Sequence, residues 1–177
     1  MTDKHQNTEP LLSKQTLLPA SLTKLAKKVI SQNRTIGNKI AIAESCTGGL
    51  VAASLTEIPG SSEVLDRAFI TYSNEAKIEC LKVDQKIIDL SGAVSISCVS
   101  AMAQGALKRS SADIAVAISG VAGPGGGTEQ KPVGTVVFAR ATRSDIQPLA
   151  ELKKFNQKDR SSIRFEATLY ALKLLLP

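Results

Sequence analysis

A three-layer α/β/α sandwich on a mixed, mostly parallel sheet is the fold this sequence predicts, and three observations lead to it. Short apolar runs, too brief for helices, alternate along the chain with stretches whose apolar residues recur at helical spacing. Such alternation makes crossover units that cover a sheet on both faces. Late in the chain two strand-like runs flank a polar turn, which adds an antiparallel pair. With 177 residues, 43 % hydrophobic and 21 % charged, the chain is sized for one globular domain with a substantial core.

Residues 1–18 mix polar residues with Leu11-Leu12 and Leu17-Leu18 and read as a flexible amino-terminal arm, leaving 19–177 as the domain. From Ser21, the spacing of Leu22, Leu25, Ala26, Val29 and Ile30 predicts a first amphipathic helix, which ends over Asn33 to Asn38. Lys39 to Ala43 runs Ile-Ala-Ile-Ala before polar turns and reads as a buried strand. Gly48 to Thr56 restarts a helix that Pro59-Gly60 closes. Arg67 to Tyr72 is a strand by its β-branched and aromatic content, and Asn74 is expected to cap the helix Glu75 to Leu81. Ser97 begins a helix of small residues through Val99, Ala101, Met102 and Ala106. Ile114 to Ile118 is a short apolar strand that empties into a glycine-rich loop. Val133 to Ala141 and Pro148 to Phe155 form the late strand pair. Ser161 to Leu176 is a closing helix, with Ile163, Ala167, Tyr170 and Leu174 on one stripe.

Composition removes whole classes of chemistry. No apolar run approaches a membrane span, and Met1 to Pro10 is polar where an export signal needs an apolar core, so a cytoplasmic protein without a membrane partner is expected. Cys46, Cys80 and Cys98 are odd in number and show no metal-like spacing, against a disulfide framework or zinc knuckle; Cys80 and Cys98 read as core residues. The single histidine, His5, lies in the arm. A Ser-His-Asp triad and an imidazole-based metal site are therefore excluded from the domain, and any base must be Lys, Tyr, Asp or Glu. The formal net charge is +6, with five bases and no acid over residues 21–40 and six bases against three acids from Glu151 onward. Solvated helix faces are the leading reading of this excess, and a seat for an anionic small molecule is the next. Six aromatics and no Trp make a poor stacking platform, so nucleic acid is the weaker reading.

In a sheet of this type the site lies beyond the carboxyl ends of the strands, where three loops fall: Glu44 to Gly49, Tyr72 to Lys77 and Ser119 to Gly134. In the first, a strand turns into a helix through small residues. That can present one hydroxyl, Ser45, beside free helix-start amides; the plainer alternative is that Ser45 or Thr47 merely caps the helix. Cys46 is a rival nucleophile, since a thiol at a helix start is acidified, but with no histidine to pair with it Ser45 is preferred. A serine needs a base. Lys77, in the first turn of a helix, sits where the macrodipole disfavours a cation, which lowers its pKa; an ordinary surface lysine is the alternative. Tyr72 relays the proton, holds substrate, or is only a rim aromatic. Gly120, Gly123, Gly125, Gly126, Gly127 and Gly134 are half of the 12 glycines. With no Gly-Lys-Ser/Thr opening a helix they are not a phosphate-binding P-loop, and they read as backbone lying flat against a ligand, or as a plain mobile turn, with Ser119 at the entrance.

Taken in order, Ala43-Glu-Ser-Cys-Thr-Gly-Gly49, Tyr72-Ser-Asn-Glu-Ala-Lys77, Gly92-Ala-Val-Ser95, Gly123-Pro-Gly-Gly-Gly127 and Lys131-Pro-Val-Gly-Thr-Val136 resemble the CinA carboxy-terminal-domain family, whose characterised members are nicotinamide mononucleotide amidohydrolases. The resemblance runs from about residue 21 to the end. It implies deamidation of nicotinamide mononucleotide to nicotinate mononucleotide and ammonia in pyridine-nucleotide recycling, with no metal or cofactor. Ser45 is then the nucleophile, completed by Tyr72 and Lys77. Ser119 and Arg160 help hold substrate, with Thr47, Gly48, Gly49, Asn74, Gly123 and Gly125 as further expected contacts and the amides around Thr47 to Gly49 as oxyanion donors. Three departures stand out: Ser119 where threonine is usual, Lys158 where glycine is usual, and no histidine or glutamate at the ends of Ser91 to Ile96. Two other readings stay open, a catalytically altered nucleotide-binding paralogue and a non-enzymatic module linked to competence or DNA. Helices rich in small residues permit a homodimer without requiring one.

Overall fold

The computed structural model describes residues 16–156 and 159–177; most of the expected arm, residues 1–15, lies outside them, as does Lys158. The elements run α1 (Ala20–Thr35), β1 (Ile40–Glu44), α2 (Leu50–Thr56), a 3-10 turn (Ser61–Glu63), β2 (Leu65–Ile70), α3 (Asn74–Leu81), α4 (Gln85–Ser91), α5 (Ile96–Lys108), β3 (Ile114–Gly120), β4 (Thr135–Thr142), β5 (Leu149–Lys154) and α6 (Arg160–Leu174). The five strands form one sheet in the order β2-β1-β3-β4-β5. β1 is parallel to both β2 and β3, while β4 is antiparallel to β3 and β5, so only β4 opposes the common direction. The mixed, mostly parallel α/β sheet is the predicted one.

Alternation along the strands feeds two cores. Ile40, Ile42, Val116, Ile118, Val136 and Phe138 face a core closed by Leu22, Ala26, Val29 and Ile30 of α1 and Ile163, Ala167 and Ala171 of α6. Each large apolar side chain buried there contributes roughly 1.5–3 kcal/mol, so the stripe read from the sequence is what docks α1. The other face is nearly all alanine at Ala41, Ala43, Ala115, Ala117 and Ala139, and α5 lies against it through Val99, Met102, Ala103 and Ala106. Small residues on both sides let helix and sheet approach closely. On its flank α5 meets α3 at Gly105, where a Cβ would stand 2.1 Å from the Leu81 carbonyl oxygen. That close approach sets α3 beside the ends of β1 and β3.

Local differences from the expected elements have simple causes. α2 starts at Leu50, not Gly48, because Gly48 and Gly49 hold positive φ angles of 61° and 97° that no helix continues. Ser73, not Asn74, caps α3: its hydroxyl accepts from the Ala76 N–H at 3.0 Å. β2 lies two residues before its expected range at both ends. α4 has no counterpart among the elements read from the sequence, since seven residues cover less than two helical turns of pattern. Cys80 is exposed rather than in the core, whereas Cys98 is buried. Among the described residues no helix is long and apolar enough to cross a membrane.

Candidate active site

Strand register lines up the first parts of the site. β1 pairs with β3 up to Glu44 opposite Ile118, and with β2 up to Glu44 opposite Ile70, so Ser45, Ser119 and Thr71 stand at one level across three adjacent parallel strands. The Ser45 N–H still donates to the Ile118 carbonyl (3.0 Å) and the Thr71 N–H to the Glu44 carbonyl (2.8 Å). Ser45 is therefore held by the sheet, not by a loose loop.

Beyond it the chain bends sharply, and Glu44 closes the bend. Its buried carboxylate accepts from Gly49 N–H (2.9 Å) and Val51 N–H (3.3 Å) on one oxygen and from Ala52 N–H (2.9 Å) on the other. A helix start presents such unsatisfied donors and the positive end of its dipole, so a carboxylate is stabilised there. Neither Ser45 nor Thr47 caps α2. The same bonds correct the expected oxyanion donors, because Gly49 N–H is held by Glu44 and Gly48 N–H by the Ser45 carbonyl (3.0 Å). Among the described residues, the N–H groups of Cys46 and Thr47 are the two in this bend that meet no acceptor in another residue.

Lys77 is among the largest fully buried side chains of the described residues, only 1 % exposed. From the first turn of α3 it reaches back under the strand ends, with Nζ 3.2 Å from Ser45 Oγ, 2.9 Å from the Thr71 carbonyl, and 3.3 Å from each of the Tyr72 and Ser73 carbonyls. Burial pulls its pKa below the ordinary lysine value, against a weaker upward pull from Cys98, Cys46 and Glu75. A neutral amine here can donate to carbonyls and still turn its lone pair to the Ser45 hydroxyl. Cys46 behaves in the opposite way: burial pushes its thiol up to about 12, outweighing its own N–H and the nearby Arg164 and Lys77. A helix start does not acidify it, and at neutral pH it is an inert thiol.

Ser45, Cys46, Tyr72, Asn74, Lys77, Ser119 and Arg160 all border one cleft of about 210 Å³, with Ala93 and Val94 on its far wall. A larger and more apolar cavity, about 400 Å³, lies behind the bend among Leu18, Pro19, Leu22, Leu50 and Phe165 and holds none of the Ser45 chemistry. Within the cleft, Ser119 is almost fully buried and donates its hydroxyl to the Ala93 carbonyl (2.8 Å), which ties β3 to the start of α5. The Tyr72 phenol makes no hydrogen bond to Lys77. It is exposed at the rim and accepts from Arg160 Nη2 at 2.6 Å, while Arg160 Nη1 donates to the Gly123 carbonyl at 2.8 Å. Arg160 opens α6, where the dipole disfavours a cation, and the capping carboxylate of Asp159, bonded to Ser162 N–H (2.8 Å), offsets that. Of the other expected contacts, Thr47, Gly48, Gly49, Gly123 and Gly125 do not line the cleft.

Two residues of this architecture were not singled out from the sequence. Glu44 is one; an acid between a buried strand and a helix start was its only signal. Arg164 is the other: from α6 its Nε donates to the Cys46 carbonyl (3.1 Å) and its Nη2 to the Thr47 carbonyl (2.9 Å). Its signal was a spacing of four from Arg160, which places both on one helix face.

A buried lysine against a serine at a strand-to-helix bend, under a rim of tyrosine and arginine, is an arrangement with the groups that nucleophilic chemistry without histidine requires. The chain belongs to the CinA C-terminal domain family, whose model matches residues 22–177. It is 46 % identical over 156 residues to the nicotinamide-nucleotide amidohydrolase PncC of Escherichia coli K12, an alignment covering 88 % of this chain and 93 % of that one. It is also 47 % identical to a CinA-like protein of Akkermansia muciniphila over 90 % of this chain but 38 % of that protein. Two putative competence-damage inducible proteins, from Caldicellulosiruptor bescii and Symbiobacterium thermophilum, are matched over about a quarter of their length, so the chain spans only part of these longer relatives. Among solved structures, the competence/damage inducible protein CihA of Agrobacterium tumefaciens superposes with a TM-score of 0.87 at 43 % identity, covering 90 % of this chain and 96 % of that one.

Proposed function

We propose that this chain hydrolyses the carboxamide of nicotinamide mononucleotide to give nicotinate mononucleotide and ammonia, in cytoplasmic pyridine-nucleotide recycling. One observation carries the reading: a buried lysine amine, its pKa lowered by burial, lies 3.2 Å from the hydroxyl of Ser45. The activity printed in the name of the E. coli relative, matched over nearly its whole length, supplies the substrate.

Ser45 Oγ attacks the amide carbon while its proton passes to neutral Lys77 Nζ. The carbonyl oxygen becomes an oxyanion that the N–H of Cys46, a residue on the cleft wall, stabilises, a contribution on the order of 3 kcal/mol. Lys77 then returns the proton to the departing nitrogen, and ammonia leaves an ester on Ser45. Water, deprotonated by Lys77, cleaves that ester and regenerates the hydroxyl. The role of Tyr72 follows from where its phenol lies: bonded to Arg160, it orders the substrate side of the cleft and relays no proton. Arg160 binds the 5′-phosphate, for which a guanidinium supplies paired charge-assisted donors. Asn74 and Ser119 contact the rest of the substrate.

The test is ammonia release from nicotinamide mononucleotide by purified protein beside Ser45→Ala. Turnover by the wild type and a loss of about 1,000-fold or more in the variant is the expected result. Full activity in Ser45→Ala ends the covalent mechanism, and a wild type that binds the nucleotide without releasing ammonia identifies an altered paralogue instead.

A further inference from the structure

Arg164 does not border the Ser45 cleft; it faces the apolar cavity on the other side of the bend, with Leu50 and Phe165. Its two bonds nevertheless govern three successive peptide groups. In a trans peptide the C=O and N–H point in opposite directions within one plane. Holding the Cys46 carbonyl therefore turns the Thr47 N–H away from Arg164. Holding the Thr47 carbonyl turns the Gly48 N–H the same way, where it donates to the Ser45 carbonyl at 3.0 Å. That bond in turn orients the plane that carries the Cys46 N–H, and Cys46 lines the cleft. Two residues before α2, a Cβ on Gly48 would meet Arg164 Nη2 at an ordinary contact distance of 3.4 Å, so it is the φ of +61°, not lack of space, that favours glycine there.

From this geometry we infer that Arg164 is a positioning residue, which sets the Cys46 N–H on the cleft wall as an oxyanion donor by gripping the carbonyls on the reverse side of the bend. The inference rests on the amide-hydrolysis reading above and goes beyond it by giving a residue outside the cleft control of the chemical step. Substrate contacts such as Arg160 act on binding. Arg164 touches no substrate and acts on the barrier.

The test compares wild type, Arg164→Met and Arg164→Lys by steady-state ammonia release from nicotinamide mononucleotide and by amide ¹H–¹⁵N spectra of the folded proteins. Arg164→Met is expected to lose about 100-fold in kcat, the scale of a lost oxyanion donor, with KM little changed. Arg164→Lys, able to reach one carbonyl, keeps an intermediate kcat. In both variants the amide signals of Cys46, Thr47 and Gly48 move while those of α3 stay. A loss falling on KM alone, or wild-type kcat in Arg164→Met, overturns the inference. Wild-type protein that releases no ammonia sinks the substrate reading instead. The spectra then decide: unmoved Cys46 and Thr47 amides overturn the positioning role, and moved ones support it.

Discussion

The bend at Glu44 to Gly49 and the loop from Val121 to Gly134 both follow a parallel strand, both are rich in glycine, and both border the same site, yet they are built on opposite principles. In the bend, partners both local and distant tie most of the backbone: Glu44 takes three amides, Arg164 takes two carbonyls and Lys77 takes the Ser45 hydroxyl, while the Cys46 and Thr47 N–H groups and the Thr47 hydroxyl stay unpaired among the described residues. The loop is fastened mainly at its ends, by the paired bonds of Val121 with Thr135 and Gly134 (2.8 Å each), by Lys131 on the Ser91 carbonyl (2.7 Å) and by Arg160 on Gly123. Between those ties Pro124 to Gln130 is exposed. Glycine permits a sharp turn in a crowded place in the first case and leaves an open backbone in the second. The division suits the chemistry, since a nucleophile must be held to within a fraction of an ångström whereas a loop beside the substrate can adapt.

The largest expected effect tests the crowded side. Lys77→Met keeps the aliphatic bulk and removes the amine, and kcat is expected to fall by about 10²–10⁴-fold. A smaller loss, measured with wild-type folding, assigns the base elsewhere and breaks the pairing of Ser45 with α3. The wild type adds a pH signature. Because burial holds the Lys77 pKa below the ordinary lysine value of 10.5, kcat/KM rises with pH through that lowered value and levels off before 10.5. Stability follows the same sign: between the two values the unfolded chain binds the extra proton, so unfolding free energy increases with pH across that window. Below it the cost of burying the cation is fully present. Urea titrations at several alkaline pH values are expected to show this slope in the wild type and to lose it in Lys77→Met.

Next in size is Glu44→Ala, which leaves the Gly49, Val51 and Ala52 amides without their acceptor and opens a small void. A loss of about 2–4 kcal/mol is expected by urea denaturation. Glu44→Gln, which keeps one acceptor oxygen, loses less. Tolerance of Glu44→Ala in both stability and turnover contradicts the view of the bend as a tied structure.

Which parts of this were legible in the sequence follows from how far each cause reaches. Ile40 to Ala43, the α1 stripe of Leu22, Ala26, Val29 and Ile30, and the alanine-rich α5 were readable because periodicity is a local property. So was the candidacy of Ser45 and Lys77, through the absence of histidine from the domain and the placement of both at strand-end loops. Occupancy of individual amides was not readable. Whether Gly48 N–H is free depends on a turn two glycines deep, and the hold on the Cys46 carbonyl comes from Arg164, 118 residues away. The cap of α3 is hidden for a related reason: Ser73 and Asn74 are both good caps, and one residue of register decides between them. The state of the Cys46 thiol is not a local property either, because a helix start acidifies only a sulfur that water or a cation can also reach, and burial outweighs the dipole here.

The smallest expected effects sharpen the comparison from the open side. Gly125 has no neighbour within 4 Å of the Cβ it lacks and no left-handed φ, so Gly125→Ala is expected to change stability by less than about 0.5 kcal/mol. At the fastened end of the same loop, Gly134 has φ +93°, and a Cβ there would stand 2.1 Å from the Phe155 carbonyl oxygen. Gly134→Ala therefore requires backbone to move and is expected to lower the melting temperature clearly, while Gly125→Ala leaves it in place. Thermal melts of the two variants measure the contrast. Equal losses would mean that the exposed stretch is as tightly determined as its ends, and the distinction between a fixed bend and an adaptable loop would then have no physical basis. If the contrast holds, KM measured for Gly125→Ala becomes informative, because any change in it reports contact between loop and substrate rather than damage to the fold.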